Sequence, residues 1–376
     1  MAKRNNTKIE RQTNNNNIDE SSTQNQNDLI VEDKTQEADK LVKAKITNTN
    51  LKAYTFEDAS KMFLYDIVVK NLLVFIIMYI VTVMINSKGF VYSEYLASHQ
   101  LVAYLLTLIS PLVLMCVIFM FHKNNKIKIF ESLKPQQKTT SISWIIVIII
   151  PLIVFFMGSG LFNSIEHIFS SLGMKESALV FKRDNIWKLL ASIFSMALLP
   201  AIFEEIVYRG VVLKGLLSKF KPTVAIIISA VLFMLMHGNI TQTFYQLFLG
   251  LIFGFVVYKT SNILLSMIMH FVNNATILIV DYINPESIFL VGGDFSSVWY
   301  IISQILLFIG LVGLLLGIGF YFNKCYNKKE ESNKEIKFGF SGLITKSNTY
   351  EKLMFFGGVV IAVVIWIVGT VMSFGA

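Results

Sequence analysis

Nine stretches of the chain are apolar with few interruptions, at residues 68–86, 101–121, 142–162, 186–213, 223–238, 244–258, 262–280, 299–321 and 353–373. A helix rises about 1.5 Å per residue, so about 20 residues cross a hydrocarbon layer about 30 Å thick. The runs at 223–238 and 244–258 fall short of that length. The pattern predicts an all-α polytopic transmembrane helix bundle of about eight or nine spans. Residues 1–50 break it, being mostly Asn, Gln, Thr, Glu and Lys with "NNNN" at 14–17. Such a composition buries too little apolar surface to offset ordering, so 1–60 is expected to be a disordered polar tail. The tail lacks the charged-then-apolar start of a signal peptide, and insertion is expected to begin at the first apolar span.

Composition agrees with this picture. With 54% hydrophobic and only 15% charged residues among 376, a soluble domain of this length is excluded. The net charge of +8 would suit nucleic acid, but the basic residues form short blocks between apolar runs rather than one stripe. No nucleic-acid partner is expected. The blocks read as topology signals: Lys123, Lys126, Lys128, Lys134 and Lys138 follow the second run, Lys214, Lys219 and Lys221 the fourth, and Lys324, Lys328, Lys329, Lys334 and Lys337 the eighth. If all nine runs cross, these loops share one side, which the positive-inside rule makes cytoplasmic. A multi-pass cell-membrane protein with a cytoplasmic N-terminus is the expectation. Cys116 and Cys325 are the only cysteines, too few and too differently placed for a disulfide framework or a thiolate metal site.

Ionisable residues at membrane depth are costly and mark function by default. Three groups stand out: Glu204, Glu205 and Arg209 in "EEIVYR", Phe233 and His237 in "FMLMH", and His270 and Asn274 in "HFVNN". The other histidines, His99, His122 and His167, fall in expected loops. Counted from the basic ends of their runs, Glu204, His237 and His270 lie roughly 15, 22 and 12 Å deep, a comparable level. Glu205 and Arg209 are four apart and can pair on one helix face, which leaves Glu204, turned by about 100°, as the free acid. Pro200 is expected to kink this helix or free a carbonyl beside the acids. A carboxylate and an imidazole in such a pocket can hold a water between them, the carboxylate acting as general base. A second imidazole and a carboxamide can donate to the oxyanion formed when that water attacks a peptide carbonyl. The set suits amide hydrolysis.

"EExxxR", "FxxxH" and "HxxxN", in this order on successive apolar runs over roughly 186–280, resemble the CPBP family of intramembrane proteases. That family includes the Rce1-type CaaX endopeptidases and the Abi proteins associated with bacteriocin processing or self-immunity. The resemblance implies that Glu204 and His237 activate water and that His270 and Asn274 form the oxyanion site. Glu205 and Arg209 would have a structural or substrate-positioning role. It also implies a catalytic core at 181–290, between N-terminal helices at 61–180 and C-terminal helices with a basic loop at 291–376. The partners implied are a peptide or protein substrate and the lipid bilayer; oligomeric state is not legible.

No cofactor is expected. Zinc is the alternative, with Glu204, His237 and His270 as three ligands and an open fourth position. Against it, no HExxH pair occurs and Asn274 is a poor zinc ligand. "MGSG" at 157–160 lacks the first glycine of a rhomboid-like GxSG, and "GGDF" at 292–295 falls in an expected outer loop. Outside the enzyme class stand a proton-coupled transporter and a non-catalytic scaffold or immunity protein.

Overall fold

Apolar runs of this length leave the backbone no partner but itself in lipid, and helices are the result. The computed structural model describes residues 54–174, 184–284, 298–326, 339–342 and 347–375, and among these there is no strand. Residues 1–53 of the expected N-terminal tail, the "GGDF" loop and most of the basic loop at 322–350 lie outside the described residues; the end of the tail, expected to be disordered to residue 60, is helical from Phe56. Among the described residues, eight helices are long and apolar enough to cross a membrane. They are α1 (Phe56–Asn86), α2 (Gln100–Asn124), α3 (Ser141–Ser171), α4 (Ile186–Leu217), α6 (Thr243–Thr260), α7 (Ile263–Ile283), α8 (Val298–Cys325) and α9 (Thr349–Phe374). Between α4 and α6 lies the shorter α5 (Pro222–Leu235), the run that fell short by length. The chain is a multi-pass membrane protein. Large apolar side chains such as Phe75, Leu101, Trp299, Leu316 and Val371 point outward and form its lipid-facing surface.

Helix starts follow from local chemistry. Thr140 and Asn185 accept the amide protons of Ser143 and Lys188, and Asn262 accepts that of Leu264. The first helix begins at Phe56, well before the apolar run at 68, because Thr55 and Asp58 form a reciprocal capping box. Its first turns bury Phe56, Met62 and Phe63 in the main core beside Val207, Val211 and Leu216 of α4. Gly215 makes this docking possible: a Cβ there would lie 2.4 Å from the carbonyl oxygen of Thr55. We expect Gly215→Val to destabilise the protein by about 2 kcal/mol or more, read as a lowered unfolding midpoint in detergent.

The α5–α6 hairpin packs through small residues in the same way. A Cβ on Gly250 would meet Ala230 at 3.1 Å, and one on Gly254 would meet Ile226 at 3.2 Å, so the backbones approach as they do in small-xxx-small membrane pairs. A second core joins α3, α6, α7 and α8 around Ile150, Phe253 and Leu311. The last helix, α9, is tied in by an ion pair of 2.6 Å between Lys219 and Glu351 and by the Trp366 indole, which donates to Asn239 O and Thr243 Oγ1.

Two histidines expected in loops are helical. His122 occupies the last turn of α2 and is buried; its Nδ1–H donates to Ile118 O and its Nε2 accepts from the Tyr54 hydroxyl, both at 2.8 Å. The helix outlasts its apolar run because this side chain finds partners at the boundary. His167 lies in α3, which continues to Ser171. His99 sits at the break between the short helix Tyr92–Ser98 and α2.

Candidate active site

Three π-type turns occur among the described residues: Tyr65–Lys70 in α1, and Ile193–Leu198 and Ile206–Val212 in α4. Each widens its helix by one residue per turn and redirects side chains, a habit of functional segments. The two in α4 flank Leu199–Glu205, the stretch that carries both acids, and Pro200 sits at its start. Pro200 has no amide hydrogen to close the α-turn on Met196. The Met196 carbonyl accepts instead from Asn274 Nδ2 at 3.3 Å. The expected freed carbonyl is therefore present, and a site residue of another helix uses it.

Glu205 and Arg209 are wholly buried and joined at 2.7 Å. The guanidinium also donates to Gly250 O at 3.3 Å. It lies over the rings of Phe233 and Phe253, 4.3 and 5.3 Å from their centroids. With no exposed face, the pair links α4 to α5 and α6. Phe233 thus has a definite task as the lid over the cation.

His270 stands between the two acids. Its Nδ1 is 3.1 Å from Glu205 Oε1 and its Nε2 is 4.0 Å from Glu204 Oε2. The adjacent acids, a third of a helical turn apart, reach one imidazole from two sides. They differ in access: the Glu204 side chain is 19% exposed and that of Glu205 is 0%. His237 is not inside a span but on the turn after α5, where Gly238 takes a positive φ of 68°. Its Nδ1–H donates to Phe233 O at 2.9 Å, and its ring packs edge-on to Phe233, 5.0 Å between centroids. The same phenyl ring lies 5.9 Å from His270. Glu204, Glu205 and His270 are thus in direct proximity, His237 joins them across Phe233, and Asn274 lies one turn further along α7 at Met196.

Sequence reading missed two charges beside this group. Asp66 and Lys70, on the π-type turn of α1, pair at 2.7 Å and are almost wholly buried. Asp66 accepts the Tyr208 hydroxyl at 2.6 Å, and Lys70 Nζ lies 4.0 Å from Met236 Sδ, next to His237. The available signal was an acid and a base four apart in "YDIVVK", just where the first apolar run begins.

No three His, Cys, Asp or Glu side chains are gathered to hold a metal ion among the described residues.

An acid, imidazoles and a carboxamide thus lie near one another within the helical bundle. Residues 185–276, from the start of α4 through most of α7, match the Rce1-like family, type II CAAX prenyl endopeptidase Rce1-like. No curated protein and no solved structure matches the chain. The segment bearing all three motifs is the one that matches this family model, and the match supports a CAAX-type protease.

Proposed function

We propose that the chain is an intramembrane endopeptidase in which Glu204 is the general base. The observation carrying this reading is the asymmetry of the two acids: Glu205 is buried and bound to Arg209, while Glu204 alone reaches open space beside His270. Since Phe233 O only accepts, the His237 hydrogen in its neutral form resides on Nδ1 and Nε2 keeps its lone pair. A water donating one hydrogen to Glu204 and the other to His237 Nε2 turns an oxygen lone pair toward a substrate carbonyl. As the water oxygen bonds to that carbon, its proton passes to Glu204. His270 Nε2–H and an Asn274 amide hydrogen receive the oxyanion. When the C–N bond breaks, Glu204 returns the proton to the leaving amine.

The substrate is a membrane-associated peptide or protein segment unwound near the site, because an intact helix hides its carbonyls. The basic blocks after α2 and α4 favour a cytoplasmic N-terminus. The test is cleavage of an internally quenched peptide ending in a prenylated CAAX sequence by purified protein in nanodiscs, with and without a chelator. Cleavage indifferent to chelation is expected. Loss on chelation, restored by zinc, would overturn the metal-free mechanism; inability to cleave any peptide would favour the transporter or scaffold.

A further inference from the structure

A carboxamide serves as an oxyanion donor only if its NH₂ end, not its oxygen, is held toward the substrate, and nothing in Asn itself makes that choice. We propose that Tyr245 and Asn273 reinforce the choice that the Met196 carbonyl begins, as positioning residues acting through Asn274; this rests on the reading of Asn274 as an oxyanion donor.

A line of hydrogen bonds crosses the bundle from α6 through α7 to α4. The Tyr245 hydroxyl donates to Asn273 Oδ1, Asn273 Nδ2 donates to Asn274 Oδ1 at 3.1 Å, and Asn274 Nδ2 donates to Met196 O at 3.3 Å. Its direction is set at one end. A backbone carbonyl can only accept, so the atom of Asn274 facing Met196 is the nitrogen. The opposite atom is then the oxygen, which requires the nitrogen of Asn273, and the oxygen of Asn273 in turn requires a donor. The hydroxyl of Tyr245 supplies it.

Reversing any member leaves two acceptors or two donors face to face, so the line has one direction. Its neighbours hold it there. Asn273 is 1% exposed, and the Tyr245 ring packs edge-on against Phe162 of α3, 5.1 Å between centroids. Asn274 itself is only partly buried, so its second amide hydrogen is not consumed by the line. Neither Tyr245 nor Asn273 belongs to the three motifs. Their effect is to make one of two carboxamide orientations the resident one before substrate arrives.

The test is a double-mutant cycle with Tyr245→Phe, Asn274→Ala and the pair, in nanodiscs. Both turnover of the quenched prenylated CAAX peptide and the unfolding midpoint are measured. Tyr245→Phe is expected to lower kcat about tenfold with KM unchanged, and to cost less than about twofold once Asn274 is Ala. Asn273→Leu, which cuts the line at its middle, is expected to behave as Tyr245→Phe does. An equal loss in both backgrounds, or a change in KM alone, would overturn the proposal. If the wild-type protein turns over no peptide, the endopeptidase reading fails separately. The line is then judged on the unfolding midpoints: non-additive shifts of Tyr245→Phe and Asn274→Ala support it, and additive shifts overturn it.

Discussion

Glu204→Gln is expected to abolish cleavage and leave the protein folded. Glutamine keeps the size of glutamate but cannot take a proton from water, and loss of a general base costs about 10²–10⁴ in kcat. The substitution is structurally mild, because Glu204 is 19% exposed and its nearest basic partner, His270 Nε2, lies 4.0 Å away. Turnover of the quenched peptide and the unfolding midpoint in detergent together check the expectation. A variant that cleaves at the wild-type rate would remove Glu204 from the mechanism, and one that fails to fold would make the residue architectural.

The second large effect is on stability. Arg209→Met replaces the guanidinium with an apolar side chain and leaves the wholly buried Glu205 carboxylate with His270 but no Arg209. Breaking one side of such a pair costs about 3–5 kcal/mol, because the remaining charge stays desolvated. The stacking on Phe233 and Phe253 is lost with it. Adding Glu205→Gln should recover much of the loss, since both charges are then gone. Chemical unfolding in micelles reads both variants. Equal stability of Arg209→Met and wild type would mean that the ion pair does not lock α4 to α5 and α6.

Much of the bundle was legible because lipid imposes a simple rule on sequence. Apolar runs of sufficient length become helices, and all nine runs did so, with 223–238 giving the short helix Pro222–Leu235. The Glu205–Arg209 pair was legible from its four-residue spacing, and the meeting of Glu204 with His270 from their similar depth. What stayed hidden depends on deviations from regular geometry or on tertiary partners. The capping box at Thr55 carried α1 beyond its apolar run and brought Asp66 inside, two residues before the apolar window at 68–86 that holds its partner Lys70. The π-type turns leave no composition signature. His122 looked like a loop residue because its partners, Tyr54 and the Ile118 carbonyl, are visible only once the helix exists. The "GLIFG" spacing of Gly250 and Gly254 was readable as a packing seam and was overlooked beside the charged motifs.

The candidate site lies where the membrane helices depart from ideality. The segment Leu199–Glu205 lies between two π-type turns, with a proline at its start and an unclosed carbonyl that anchors Asn274. The acids are distinguished by burial rather than by type, one spent on Arg209 and one left open. The measurement that tests this most directly is a comparison of new peptide termini, by mass spectrometry, in membranes containing the wild-type protein or Glu204→Gln at equal abundance. Termini present with wild type and absent with Glu204→Gln are the predicted result; identical termini from the two would contradict the account.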